Sequence, residues 1–179
     1  MRIARSAWRT QPWNNGGGLT HEVWRWAAAG VADDAYDLRL SVAEIDGAQP
    51  FSAFPGLDRW LIPLEASALT IVLAGAPAPM APHHVFAFPG EAPAETRGHG
   101  RALDFNVIAR RARGPVDVTV GTAAAVGAGR HLAVFALAET TLGGAGGPRL
   151  HRDDTWIELA APPGPRAATA PVVWIAFPA

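Results

Sequence analysis

Three segments of this sequence carry polar side chains at every second position. Thr20 and Glu22 alternate with His21 and Val23, and Trp24 and Trp26 continue the same phase. Arg39 and Ser41 alternate with Leu38, Leu40 and Val42, while Asp104, Asn106 and Arg110 alternate with Phe105, Val107 and Ala109. Alternate residues of a strand share a face, so Thr20, Glu22, Trp24 and Trp26 are expected on one side and each polar series on a side of its own strand. Polar faces in an otherwise apolar sheet must be paired or wet. If they meet, they wall a small polar cavity.

Arg59 completes this set, because it follows the Pro55-Gly56 turn at the entrance to a further strand. A guanidinium donates to both oxygens of a carboxylate at once, so Arg59 or Arg39 suits a small anion. Asn15, Ser52, Asn106 and Arg110 add further donors and acceptors. The ligand-binding set predicted from sequence is therefore Asn15, Thr20, Glu22, Arg39, Ser41, Ser52, Arg59, Asp104, Asn106 and Arg110. Two other readings stay open. The same residues form structural ion pairs that pin loops to the sheet, or Glu22 or Asp104 acts as a general acid or base beside Arg59. A protein-interaction module would instead show an exposed apolar patch.

The elements that position these groups read as strands. Gly and Pro together number 35 and are scattered at short intervals, which leaves little room for capped helices; Ala27 to Asp34 has space for one turn. Short alternating runs recur at Asp37 to Ile45, Leu57 to Ile62, Leu69 to Leu73, Val85 to Phe88 and Leu103 to Arg110. They continue at Val116 to Val120, His131 to Leu137, Trp156 to Leu159 and Val172 to Phe177, with Gly143 to Gly147 and Pro162 to Pro165 as loops between them. Many short strands separated by turns predict an all-β barrel or sandwich. In front of the first polar series stands Asn14-Asn15-Gly16-Gly17-Gly18, whose residue types tolerate positive φ and close backbone approach.

Composition narrows the chemistry. The 179 residues are 49% hydrophobic and 17% charged, which suits one compact domain or two small, intimately packed halves. Cysteine and lysine are both absent, so disulfides, thiolate metal sites, cysteine nucleophiles, Schiff bases and a Walker-type lysine have no residue to use. No G-x-G-x-x-G appears, and the six histidines include no pair spaced to ligate from one strand face. His83 and His84 are expected in a loop after Pro82. No metal and no cofactor is therefore predicted. A net charge of −1 and one short basic cluster, Arg110-Arg111-Ala112-Arg113, give no basis for nucleic-acid binding. No apolar run is long enough to span a bilayer and no signal-like segment follows Met1, so a cytoplasmic location is expected.

Trp13-Asn14-Asn15-Gly16-Gly17-Gly18-Leu19-Thr20-His21-Glu22, Phe51-Ser52-Ala53-Phe54-Pro55-Gly56-Leu57-Asp58-Arg59 and Asp104-Phe105-Asn106-Val107-Ile108-Ala109-Arg110-Arg111 occur in this order. Together they resemble the HutD/Ves family of small double-cupin proteins. The resemblance implies a bicupin of two small antiparallel β-barrels packed into one compact unit over residues 1–179, with approximate halves 1–113 and 114–179. It also implies an association with bacterial histidine utilisation, without an established enzymatic activity. Two positions depart from the family pattern: His21 stands where an Arg is common, and Ile108 where a Met is usual. The resulting expectation is a metal-free cupin that binds a small carboxylate in a regulatory role. The alternative is a cupin-fold isomerase or epimerase using Glu22 or Asp104.

Overall fold

The computed structural model describes residues 1–13, 16–28 and 35–179. Among them it contains no α-helix and sixteen strands. In chain order these are β1 (Arg2–Ile3), β2 (Arg9–Pro12), β3 (Gly18–Trp26), β4 (Leu38–Asp46), β5 (Leu57–Pro63), β6 (Thr70–Leu73), β7 (Ala76–Pro79), β8 (Phe86–Pro89), β9 (Ala94–Arg97) and β10 (Arg101–Arg110). There follow β11 (Asp117–Val126), β12 (Arg130–Ala136), β13 (Thr140–Thr141), β14 (Arg149–Leu150), β15 (Thr155–Ala161) and β16 (Gly164–Pro178). The chain divides into two compact units, Trp8–Ala112 and Met1–Ala7 together with Arg113–Ala179. The first seven residues thus belong with the second unit. The span Ala27 to Asp34, read as room for a turn, lies mostly outside the described residues.

In the unit Trp8–Ala112, an antiparallel sheet ordered β2-β3-β4-β10-β5-β8 lies with a three-stranded sheet β7-β6-β9. Alternation decides what they enclose. Ala43 and Ile45 of β4, Leu61 of β5, Ala102 of β10 and Phe86 and Phe88 of β8 pack with Leu69, Ile71 and Met80 into one buried apolar cluster. Each buried Leu, Ile, Met or Phe among them contributes roughly 1.5–3 kcal/mol by leaving water. The same faces of β4, β5 and β10, followed toward Arg39, Arg59 and Asn106, turn polar. Cross-strand register brings these stretches together: Asn106 lies opposite Ser41 and Leu61, and Ile108 opposite Arg39 and Arg59.

Strand β3 departs from simple alternation. Its pairing with β4 shifts between Glu22 and Trp24, leaving Val23 as the extra, buried residue of a β-bulge. Thr20 and Glu22 therefore lie opposite Ala43 and Ser41, whereas Trp24 and Trp26 lie opposite Leu40 and Leu38. The expected common face for Thr20, Glu22, Trp24 and Trp26 is corrected accordingly: one inserted residue reverses the parity, because the side-chain period of a strand is two. Arg25 joins the polar face in their place, with Nε 3.8 Å from Glu22 Oε1.

The turn before β3 is fixed by two glycines with different duties. Gly16 has φ +72°, the left-handed region, and donates its N–H to Trp13 O at 3.0 Å. Gly18 is a close approach, since a Cβ there would lie 2.3 Å from Glu44 O.

The second unit has a five-stranded sheet β1-β15-β12-β16-β11 and a small pair β13-β14. Its apolar cluster is formed by Val126, Leu132, Val134, Ala136, Leu142, Leu150, Ala161, Val172 and Trp174. Strand β16 begins at Gly164, so the stretch expected as a loop over Pro162 to Pro165 already enters a strand at its end. The N-terminal residues are held to this unit by β1 pairing with β15 and by Arg2 and Arg5, which reach Asp154 and Asp153.

Candidate functional site

A cavity of about 580 Å³ opens in the unit Trp8–Ala112, above the apolar cluster. Its polar wall is built by Thr20 of β3, Arg39 and Ser41 of β4, Arg59 of β5 and Asn106 of β10. The apolar wall comes from Trp13, Phe51, Phe54, Ile108 and the prolines Pro12 and Pro50. Trp13 is oriented by its indole N–H, which donates to Thr20 Oγ1 at 2.8 Å, and by an edge-on contact with Phe51. Accepting this bond leaves the Thr20 hydroxyl proton available as a donor.

Arg59 is the centre of the site. Its guanidinium carbon lies 5.4, 5.2 and 5.2 Å from the ring centres of Phe51, Phe54 and Phe88. Phe88 is its cross-strand neighbour, and the Pro55-Gly56 turn, with Gly56 at φ +77°, returns Phe54 over the same strand. Cation–π contact of this kind stabilises a desolvated guanidinium. Nη1 donates to Ser52 O at 3.3 Å and Nη2 to Asn106 Oδ1 at 3.2 Å. Both bonds are long, and each terminal nitrogen keeps a second N–H. Among the described residues no carboxylate oxygen bonds this guanidinium, and its buried Nε has no partner. Burial pulls the Arg59 guanidinium below its ordinary value, with the Asp104 charge acting in the opposite sense.

Asp104 lies two residues further along β10 and is almost fully buried. Its Oδ2 accepts from Asn106 Nδ2, while its Oδ1 has no partner among the described residues. Burial pushes this carboxyl up to about 7, against the Asn106 hydrogen bond and the Arg59 charge, which both favour the ionised form. The Asn106 amide is thereby fixed in one orientation, with its oxygen toward Arg59 and its nitrogen toward Asp104.

The predicted residues separate into three groups. Thr20, Arg39, Ser41, Ser52, Arg59 and Asn106 meet around the cavity. Glu22 and Asp104 stand behind that wall: Glu22 Oε2 accepts from Arg39 Nε at 3.1 Å, and Asp104 is reached through Asn106. Arg110 does not reach the cavity. It donates to Asp37 Oδ1 at 2.9 Å and to Tyr36 O at 3.2 Å, closing the entry to β4. Asn15 lies outside the described residues. Asp58, the sequence neighbour of Arg59, bonds Arg111 instead.

The aromatic box of Phe51, Phe54 and Phe88, together with Trp13, was not among the predicted site residues. A signal was present for two of them, since Phe51 and Phe54 flank Ser52 in one short loop. Phe88 becomes a neighbour of Arg59 only through the β5-β8 register. His21 is tied at both ring nitrogens, 2.8 Å from Thr10 Oγ1 and 2.8 Å from Glu44 Oε1. His83 and His84 lie in a loop, as expected. Among the described residues no three His, Cys, Asp or Glu side chains gather as metal ligands. No described helix is long and apolar enough to cross a membrane.

Two compact units of antiparallel sheet, one of them holding a polar cavity above an apolar floor, have the architecture of a bicupin. The chain belongs to the HutD family, whose model matches residues 5–167. HutD from Pseudomonas fluorescens SBW25, solved under a formate condition, is similar over 100% of this chain and 98% of its own, with TM-score 0.86 and 24% identity. A conserved protein of unknown function from Pseudomonas aeruginosa PAO1 gives TM-score 0.82 and 24% identity over 99% of this chain and 97% of its own. A putative glyoxylate-induced protein from Pseudomonas aeruginosa shares the fold at TM-score 0.65 and 11% identity, over 98% and 86% of the two chains. By sequence, an uncharacterized 21.2 kDa protein in the hutC 3' region of Pseudomonas putida is 37% identical over 99 residues, 54% of this chain and 51% of that protein. The match thus spans about half the length of that relative.

Proposed function

We propose that this protein is a cytoplasmic, cupin-type binding protein that takes a small carboxylate on Arg59 and serves a regulatory role linked to histidine utilisation. The observation that carries the reading is a buried guanidinium facing a cavity with donors to spare and no carboxylate of its own among the described residues. A buried charge calls for a counter-charge, and an entering carboxylate supplies one. Thr20, Ser41 and Asn106 give the ligand further polar contacts, and Trp13 and Ile108 cover its apolar part. Family membership and the position of the Pseudomonas putida relative in the hutC 3' region support the metabolic context. Binding is favoured over acid–base catalysis because Glu22 is engaged by Arg39 and Asp104 stands behind Asn106 rather than on the cavity wall.

Calorimetric titration with small carboxylates, including histidine-degradation intermediates, tests this on the parent and on Arg59→Lys. Lysine keeps the charge but loses the fork, and a hydrogen bond to a charged group contributes about 1.5–3 kcal/mol. Affinity should therefore fall at least tenfold, on the order expected for that loss. Equal affinity in the two proteins, or no binding by the parent, would remove the reading.

A further inference from the structure

Arg39 and Arg59 flank Ile108. Ile108 of β10 pairs with Arg39 on β4 and with Arg59 on β5, and residues directly opposite in an antiparallel ladder share a face of the sheet. All three line the cavity. Neighbouring strands lie about 4.8 Å apart, so the two arginine backbones stand about 9–10 Å from each other, with one apolar side chain between them.

Both guanidinium groups keep free donors. Arg39 is bonded at Nε alone, which donates to Glu22 Oε2 at 3.1 Å, and its two terminal nitrogens have no hydrogen-bond partner among the described residues. Those nitrogens form the end-on fork that fits a carboxylate. Glu22 does not belong to Arg39 alone, because its Oε1 lies 3.8 Å from Arg25 Nε. Two guanidinium groups thus share one carboxylate here, while none is bonded to Arg59. On the whole face, Arg25, Arg39 and Arg59 stand against Glu22 and Asp104. The Arg39 charge also acts on Arg59 in the same sense as burial, against its charged form. Two like charges beside one cavity are costly until anions lie against them.

We propose that the ligand of this cavity is a short dicarboxylate, with one carboxylate taken by Arg59 and the other by Arg39 across Ile108. This rests on the carboxylate reading of Arg59 and adds the class of ligand and a second anchor. The carbon chain between the two carboxylates lies over Ile108, and Ser41, next along β4 on the same face, offers its hydroxyl from the same wall. A monocarboxylate fills one fork and leaves the other cation facing the cavity.

The test uses succinate, glutarate and adipate, each beside its own monomethyl ester, titrated calorimetrically into the intact protein at pH 7.5. Diacid and ester share a skeleton and differ by one charge. At least one diacid should bind about tenfold or more tightly than its ester, on the order expected for one charge-assisted fork. In Arg39→Gln that ratio should fall to about one. Arg39→Lys keeps a charge beside Glu22 but loses the fork, and its ratio should lie between the two. Equal affinity of each diacid and its ester in the parent overturns the proposal and leaves the Arg59 reading intact. A ratio that survives unchanged in Arg39→Gln overturns the assignment to Arg39. Absence of binding by every probe overturns both readings together. If Arg39→Gln does not fold, Arg39→Lys decides, and a ratio equal to the parent's removes Arg39 from the site.

Discussion

The Asp104 carboxyl makes a prediction about stability that needs no ligand. Burial raises it from the ordinary aspartate value of 3.8 to about 7 in the folded protein. A group whose folded value is raised contributes stability that is fully present below its unfolded value and lost as pH rises through its folded value. The window is therefore about pH 4 to 7. Above it, the native state carries a buried charge that the unfolded chain carries in water. Three pH units at 1.36 kcal/mol each put the full loss at about 4 kcal/mol, of which about 2–3 falls between pH 5 and pH 8. Asp104→Asn removes the titration but places an amide N–H where Oδ1 has no partner, at a pH-independent cost of about 1–3 kcal/mol. The variant should thus be less stable than the parent at pH 5 and approach or exceed it at pH 8. Urea denaturation of both proteins at the two pH values measures this. A difference between them that is the same at pH 5 and pH 8 would refute the reasoning, because a carboxyl ionised throughout has no such slope.

Two further outcomes follow from the geometry around the site. Gly18→Ala meets the Glu44 carbonyl 2.3 Å away and should cost about 1–3 kcal/mol or more, since backbone must move. Gly16→Ala, with φ +72° and open space around it, should cost only about 1–2 kcal/mol of backbone strain; urea midpoints that rank the two in reverse would contradict the turn geometry. Arg110→Ala removes an ion pair to an Asp37 side chain that is only 1% exposed. It should lower stability by about 1–3 kcal/mol, less than a fully buried pair because Arg110 is partly exposed. Carboxylate affinity should not change, because Arg110 does not line the cavity, and titration of the variant checks that.

The polar faces were legible from sequence wherever strands keep strict alternation. Arg39 with Ser41, and Asp104 with Asn106, stand as period two places them, and β4 and β10 pair residue for residue over that stretch. In β3 the same rule failed at Val23, since a bulge is set by pairing with a neighbour and leaves no local mark in a run of alternating residues. Arg110 shows a second limit. Its parity is right, but parity fixes a side of the sheet and not a depth along it. At the strand end the nearest carboxylate, Asp37, captures the guanidinium before it can reach the cavity.

Arg59 is where local and long-range information meet. Its place after the Pro55-Gly56 turn puts it near a strand entrance, and the sequence suggests a residue lying across the cavity mouth. What draws it inward is contributed from far along the chain: Phe88 through the β5-β8 ladder and Asn106 through the β10-β5 ladder. Its immediate acid, Asp58, points the other way and is taken by Arg111 at 2.8 Å. The guanidinium is left with rings that desolvate it, two long hydrogen bonds and an amide that connects it to a carboxyl with an open oxygen. A residue held only for structure would be expected to end in a well-formed ion pair, as Arg110 and Arg111 do. Arg59 is buried without one, and the same barrel that withholds a partner provides a cavity of about 580 Å³ beside it. On the proposed reading, an anion from outside completes the arrangement.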